Sequence, residues 1–212
     1  MRKVILATAL IVLVASYAFA DGFGSAFGAL TTAQSLGQGR GNLGLGVGLA
    51  DATSFFGTFT YGLSKYMDGR LKIGFRDDVN TKITLGADFK YQFWNVGEGS
   101  RAPFDGALGG FFEFVDLDAV SVFQVGAQFI GSYPFHLSRG GTLSPYGKFN
   151  IRIESASYDL PINLAGDKSK TDLRAGLNGG VKWTATPTID LYGEFQIDGN
   201  DGVFFGVDFN VM

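Results

Sequence analysis

Thr81 to Trp94 reads TKITLGADFKYQFW, and this stretch decides the fold class. From Ile83 to Phe93 every second residue is apolar, and the intervening positions are Thr, Gly, Asp, Lys and Gln. A period of two is typical of a β-strand with one apolar and one polar face. A water-soluble sheet and a membrane-spanning barrel both produce this pattern, so the rest of the chain has to distinguish them.

The first twenty residues have the features of an export signal. A basic start, Met1-Arg2-Lys3, is followed by an apolar run from Val4 to Tyr17 and by Ala18-Phe19-Ala20, which matches an A-x-A cleavage site. The run is shorter than the roughly 20 residues that a spanning helix needs. We therefore predict a signal peptide over residues 1–20 and a mature chain that begins at Asp21.

The composition favours an all-β protein and excludes several functions. The chain has 32 Gly and 21 Phe, which is typical of strands and turns rather than helices. Its 17 Lys and Arg against 20 Asp and Glu leave no basic excess for binding nucleic acid. The absence of Cys excludes disulfides and thiolate metal sites.

Alternation of apolar and polar residues recurs along the chain and predicts ten strands. An even number of antiparallel strands of about ten residues is what a closed bacterial membrane barrel needs. We therefore predict an all-β, closed, antiparallel, up-and-down transmembrane β-barrel over residues 39–212, with eight or twelve strands as alternatives. Residues 21–38 are a short N-terminal segment, either periplasmic or a plug. The predicted strands are 41–50, 54–63, 70–76, 81–94, 104–115, 121–133, 144–156, 171–183, 188–198 and 202–211.

Tyrosine and tryptophan collect at one end of the predicted strands. If the N-terminus is periplasmic, this is the periplasmic end, and a membrane barrel places amphipathic rings at the level of the lipid headgroups. A soluble sandwich has no reason to sort them in this way. The predicted interface aromatics are Tyr61, Tyr91, Trp94, Tyr133, Tyr146 and Trp183.

The C-terminal stretch from Phe204 to Val211 reads FFGVDFNV. It resembles the assembly signal of the bacterial outer-membrane β-barrel superfamily, including the small OmpA- and OmpW-like barrels, in Gly206-x-x-Phe209-x-Val211. It departs from that signal at Phe204, where a polar residue is usual, and at Met212, where an aromatic residue is typical. The resemblance implies insertion by the outer-membrane assembly machinery and specifies no substrate.

If the apolar faces point outward, the ionisable side chains of the strands line the lumen. Eight are basic and eight acidic, and the acidic ones dominate the last two strands. Charges in a narrow interior are expected to pair, chiefly between the eighth and ninth strands, or else to set up a transverse field across a pore. The predicted lumen residues are Lys72, Arg76, Lys82, Lys90, Lys148, Arg152, Arg174, Lys182, Asp88, Glu113, Glu154, Asp172, Asp190, Glu194, Asp198 and Asp208.

The first two strands line their lumen side with small, uncharged residues. These are Asn42, Gly44, Gly46, Gly48, Ser54, Thr58 and Thr60. We expect this smooth wall to leave space, which either a solute or the N-terminal segment folding in as a plug would occupy.

No catalytic arrangement is predicted. The one histidine, His136, falls in a predicted periplasmic turn, which makes a Ser-His-Asp arrangement improbable. No cofactor or metal site is expected. We expect a monomeric protein of the bacterial outer membrane that passes or binds small polar solutes, with a closed structural barrel working through its external loops as the alternative. Its expected partners are membrane lipids, lipopolysaccharide and the assembly machinery.

Overall fold

The computed structural model describes residues 22–77, 81–96, 102–116, 120–138, 140–158 and 169–211. The predicted signal peptide lies outside the described residues. Eleven strands form, of which one has only two residues. They are β1 (Gly41–Leu49), β2 (Thr53–Gly62), β3 (Met67–Asp77), β4 (Thr81–Trp94), β5 (Asp105–Asp116), β6 (Val120–Ser132), β7 (Phe135–His136), β8 (Thr142–Tyr158), β9 (Ser169–Thr186), β10 (Ile189–Ile197) and β11 (Gly202–Asn210).

The ten long strands close into one antiparallel barrel. Each pairs with its neighbours in the chain, β1 pairs with β11, and β6 pairs with β8 across the short β7. The two residues of β7 only extend β8 at its beginning. The predicted all-β, up-and-down architecture with ten strands is therefore confirmed. β3 begins three residues earlier than predicted, and β9 is longer at both ends.

The two faces of the wall are those that the alternation predicted. In β4, Ile83, Leu85 and Phe89 are exposed on the outside, whereas Thr84 and Lys90 are buried inside. Polar side chains thus fill the interior and apolar ones cover the exterior, which inverts the distribution of a water-soluble protein. The described part of the chain contains no helix that is long and apolar enough to cross a membrane.

The barrel has two ends, which we name by the chain. At the proximal end β1 begins at Gly41 and β11 finishes at Asn210; at the distal end residues 198–201 connect β10 to β11. The aromatic side chains predicted at the interface lie at the proximal end. Tyr61, Tyr91, Trp94, Tyr133 and Trp183 are all exposed on the outer surface there.

Tyr146 is the exception, and its predicted position on the exterior was wrong. It is only 6% exposed, and its hydroxyl donates to Glu194 inside the barrel at 2.6 Å. The physical reason is strand parity, because Tyr146 lies two positions before the inward-facing Lys148 and therefore points to the same side. Tyr192, at the same end, also turns inward and donates to Asp208 at 3.2 Å.

Candidate functional site

The interior of the barrel is occupied by residues 22–38, which we call the N-terminal segment. Gly22 lies at the distal end, where a Cβ on Gly199 would contact its backbone. At the proximal end the Gly39 N–H donates to the Gly62 carbonyl at 2.9 Å, and the chain enters β1. The segment forms no strand, and most of its residues from Gly24 to Ala33 are buried. It therefore runs through the interior from one end to the other.

The acidic wall of β10 binds backbone N–H groups of this segment. The Glu194 carboxylate accepts from the N–H groups of Ala29 at 2.6 Å and Leu30 at 2.8 Å. It also accepts from the Tyr146 hydroxyl and the Asn178 amide, at 2.6 and 2.7 Å. Two successive N–H groups converging on an anion form a backbone nest. The acidic surplus of β10 is therefore partnered by the main chain as well as by cations.

The basic wall of β3 and β4 binds the segment's carbonyl groups. Arg70 donates to the carbonyls of Ala29 at 2.8 Å and Leu30 at 3.3 Å while it pairs with Asp88 at 2.7 Å. The Lys90 ammonium donates to the carbonyls of Thr32 and Gln34, at 2.6 and 2.7 Å. The acidic wall thus faces N–H groups of the segment, and the basic wall faces its carbonyl groups. An irregular peptide must satisfy its polar groups wherever it is buried, and the two walls supply the partners.

Both ends of the segment have further polar anchors. At the proximal end the Ser35 hydroxyl donates to Asp68 at 2.7 Å, and the Ser35 N–H donates to Gln92 at 2.9 Å. At the distal end the Phe23 N–H donates to Glu154 at 3.1 Å, and the Ser25 N–H donates to Asp198 at 3.1 Å.

Asp198 lies just beyond the end of β10. Burial raises its pKa from 3.8 to about 6, although Arg152 and the Ser25 N–H favour its charged form. The folded protein therefore binds this proton more tightly than the unfolded chain does. The resulting contribution to stability is present below pH 3.8 and is lost as the pH rises through about 6.

An apolar cluster lies beside the glycine-rich wall of β1. Phe27 of the segment packs edge-on against Phe56, with ring centroids 5.4 Å apart, and lies 5.0 Å from the Lys72 ammonium. Phe204 is fully buried in the same cluster. The space expected beside Gly44, Gly46 and Gly48 is therefore taken by side chains of the wall and of the segment. A cavity of about 10 Å³ beside Phe27 and Leu30 has room for at most one water molecule.

This cluster gives a testable prediction about Gly46. A Cβ at this position would overlap the Phe56 ring, whereas a Cβ on Gly57, also in the wall, would meet nothing closer than the Gly44 carbonyl at 3.7 Å. We expect Gly46→Ala to lower the free energy of unfolding by about 1–3 kcal/mol through overpacking. Gly57→Ala should stay within about 0.5 kcal/mol. Urea unfolding in detergent, followed by tryptophan fluorescence, measures both, and equal losses would contradict the packed interior.

The sixteen ionisable residues assigned to the lumen are all buried or half-buried. Ten are buried, and Lys82, Asp88, Asp172, Arg174, Lys182 and Asp208 are half-buried. The expected pairing between the eighth and ninth long strands, β9 and β10, is represented by Lys182 and Asp190, which are 4.0 Å apart. The tighter pairs lie elsewhere. Four join strands among β3, β4 and β5, namely Arg70–Asp88, Lys72–Glu113, Lys72–Asp88 and Lys90–Asp68, and Arg152–Glu154 lies within β8.

Other residues predicted from the sequence have the following contacts and positions. Arg76 donates to the Asn200 side chain at 3.0 Å, and Arg174 pairs with Asp172 at 2.9 Å. The Lys148 ammonium lies 5.7 Å from the centre of the Phe111 ring. In the assembly-signal stretch, Phe209 and Val211 are exposed on the outside. Gly206 faces inward instead, and a Cβ there would be 2.9 Å from the Leu30 side chain of the segment.

Sequence reasoning missed several interior residues. Asp68 was assigned to the turn before the third strand, and Arg70, the first residue of that predicted strand, was left out of the lumen residues although it has the same parity as Lys72. Beyond the first two strands, neutral polar residues were not assigned to the lumen because only ionisable groups were counted there. Gln124 donates to the Gly24 carbonyl at 2.8 Å, and Gln196 donates to the Ser25 carbonyl at 2.9 Å. Among the described residues, no group of three or more His, Asp or Glu side chains could hold a metal ion.

The sequence matches no protein-family model and no curated protein. Among solved structures, the chain is similar to the crystal structure of the N-terminal β-barrel domain of Pseudomonas aeruginosa OprF. The sequences are 14% identical, the match covers 82% of this chain and 99% of that domain, and the TM-score is 0.37.

Proposed function

We propose that this protein is a bacterial outer-membrane barrel whose N-terminal segment closes it, and that small polar solutes pass only when the segment leaves. The observation that carries the proposal is the binding of the segment between two oppositely charged walls. Glu194 holds its N–H groups and Arg70 holds its carbonyls at the same two residues, Ala29 and Leu30. A narrow lumen filled in this way has no continuous water path.

The segment is an insert and not part of the wall. Each of the ten long strands pairs with a strand on both sides, so the hydrogen-bonded sheet is complete without residues 22–38. The segment is held mainly by hydrogen bonds to polar side chains, which water can replace once the lumen is hydrated. If the segment left, the barrel wall would thus remain continuous around a polar interior.

The exterior supports the membrane location. Large apolar side chains such as Leu45, Leu71 and Phe55 are more than half exposed, which a protein surrounded by water rarely tolerates over so wide a surface. Membrane lipids, lipopolysaccharide and the assembly machinery are the partners that we propose, and we propose a monomer. We propose no catalytic role for the protein. His136 is exposed and hydrogen-bonds Thr142 in the short β7–β8 hairpin.

Because the chain has no cysteine, single cysteines can test the topology on intact cells. Asp51→Cys marks the distal end, Gln38→Cys the proximal end, and Gly22→Cys the beginning of the segment. With a bulky, polymer-linked maleimide we expect Asp51→Cys and Gly22→Cys to react from outside, and Gln38→Cys to react only after lysis.

Two results would contradict the proposal. If Gly22→Cys followed Gln38→Cys, the segment would not run through the barrel. If all three cysteines reacted from the same side, the barrel would not cross the membrane.

A further inference from the structure

The N-terminal segment contains a short tandem repeat. Phe23-Gly24-Ser25-Ala26 is followed directly by Phe27-Gly28-Ala29-Leu30, so Phe-Gly and a small residue recur every four positions. The two glycines share one conformation, with φ of 61° at Gly24 and 64° at Gly28. These are left-handed values, which favour glycine.

The barrel wall makes equivalent hydrogen bonds to the two units of the repeat. The residue after each glycine donates its N–H to a carboxylate: Ser25 to Asp198 at 3.1 Å, and Ala29 to Glu194 at 2.6 Å. The carbonyl of the same residue accepts from the wall. Asn200 donates to the Ser25 carbonyl at 2.9 Å, and Arg70 donates to the Ala29 carbonyl at 2.8 Å. The spacing of four residues in the segment matches the spacing of four between Glu194 and Asp198.

The wall also excludes a side chain at either glycine. A Cβ on Gly24 would overlap Asn200 and Asp198, and a Cβ on Gly28 would lie 2.8 Å from the Glu194 carboxylate and 3.0 Å from the Phe204 ring. Position 22 is different, since a Cβ on Gly22 would meet its nearest neighbour at an ordinary 3.5 Å. The second phenylalanine of the repeat, Phe27, fills the pocket beside Phe56.

We infer that the interior is a binding site for peptides with tandem Phe-Gly-small units, which the chain's own segment fills in cis. The ligand class is set by main-chain contacts, by the two left-handed glycines and by the aromatic pocket. The occupant that we assign in trans is the N-terminal segment of a second copy of this chain, because that segment carries the repeat that the interior fits. This inference rests on the proposed function, because the site becomes available only if the segment can leave.

The test uses the full chain, cut after folding. Gln38 and Gly39 are exposed in the connection between the segment and β1, so a specific protease site there can be cleaved in the refolded, membrane-inserted protein. A fluorescent synthetic peptide with the sequence of residues 22–36 is then added, and its anisotropy is measured. We expect saturable binding to the cut protein and none to the uncut protein.

Two matched peptides test the selectivity for glycine. Gly28→Ala places a Cβ against Glu194 and strains a left-handed residue, so we expect binding at least about tenfold weaker. Gly22→Ala should bind within about twofold of the parent peptide, because the Cβ has room there. Equal binding of the two variants would overturn the assignment to Phe-Gly units.

Solute efflux from vesicles that contain the inserted, cleavable protein separates this inference from the proposed function. If cleavage makes the vesicles leak but the peptide neither binds nor blocks the leak, the segment is a plug and the peptide site is wrong. If the cut segment never leaves and no leak develops, both the proposed opening of the barrel and the binding of a peptide in trans are wrong. Binding together with suppression of the leak supports both.

Discussion

Glu194→Gln is expected to make the barrel leak. In the closed state four donors converge on the Glu194 carboxylate, two of them main-chain N–H groups of the segment. Glutamine keeps one acceptor oxygen and brings N–H donors to a place where donors already converge. Hydrogen bonds to charged groups contribute about 1.5–3 kcal/mol each, so losing the equivalent of one or two lowers the equilibrium constant for binding of the segment in the lumen by roughly one to four orders of magnitude.

Efflux of a small, neutral, polar dye from vesicles that contain the refolded variant measures this opening. Asp190→Asn is the matched control, because Asp190 is on the same wall but bonds Thr184 and pairs with Lys182 rather than with the segment. We expect efflux with Glu194→Gln and retention with Asp190→Asn. Equal efflux from both variants would mean that the leak reflects general damage to the wall and not release of the segment.

Arg152→Glu is expected to cause the largest loss of stability. Arg152 is 1% exposed, pairs with Glu154 at 3.3 Å and donates to the Asp198 carbonyl at 2.6 Å. The reversal would place a third carboxylate beside Glu154 and Asp198 and remove the cation that pairs with both. Breaking a buried ion pair in this way costs about 3–5 kcal/mol.

Urea unfolding measures this loss, and Lys65→Glu, an exposed position in the turn before β3, should change the free energy of unfolding by less than about 0.5 kcal/mol. A folded Arg152→Glu protein with near-normal stability and altered ion selectivity would instead indicate a hydrated, open lumen around this residue.

The wall was predictable from the sequence because strand parity is a local property. The alternation in β4, from Ile83 to Phe93, gives both faces, and the same pattern places Arg152 and Glu194 inside. The wrong assignments arose at strand ends, and where the residue type rather than strand parity was used to decide which way a side chain points. Asp68 was read as part of a turn, and Tyr146 was placed outside because it is aromatic.

The position of the N-terminal segment was not predictable in the same way. Its residues are mostly small, and its partners are spread over β3, β4, β5, β6, β8 and β10, so no local pattern encodes them. From the sequence, two positions of this segment remained possible: a plug inside the barrel or a segment in the periplasm. The inward-facing Phe56 and Phe204 were signals for a filled interior, because two large rings beside a glycine wall occupy the space that a solute would need.

The most direct test of the closed barrel is single-channel conductance in a planar bilayer at two salt gradients. The chain without the predicted signal peptide, residues 21–212, is compared with the same chain lacking residues 22–36, each first shown to be folded and inserted. We expect the intact chain to be silent and the shortened chain to give discrete, ion-conducting steps. Steps of the same size from both proteins would contradict the account, because the segment would then not close the lumen.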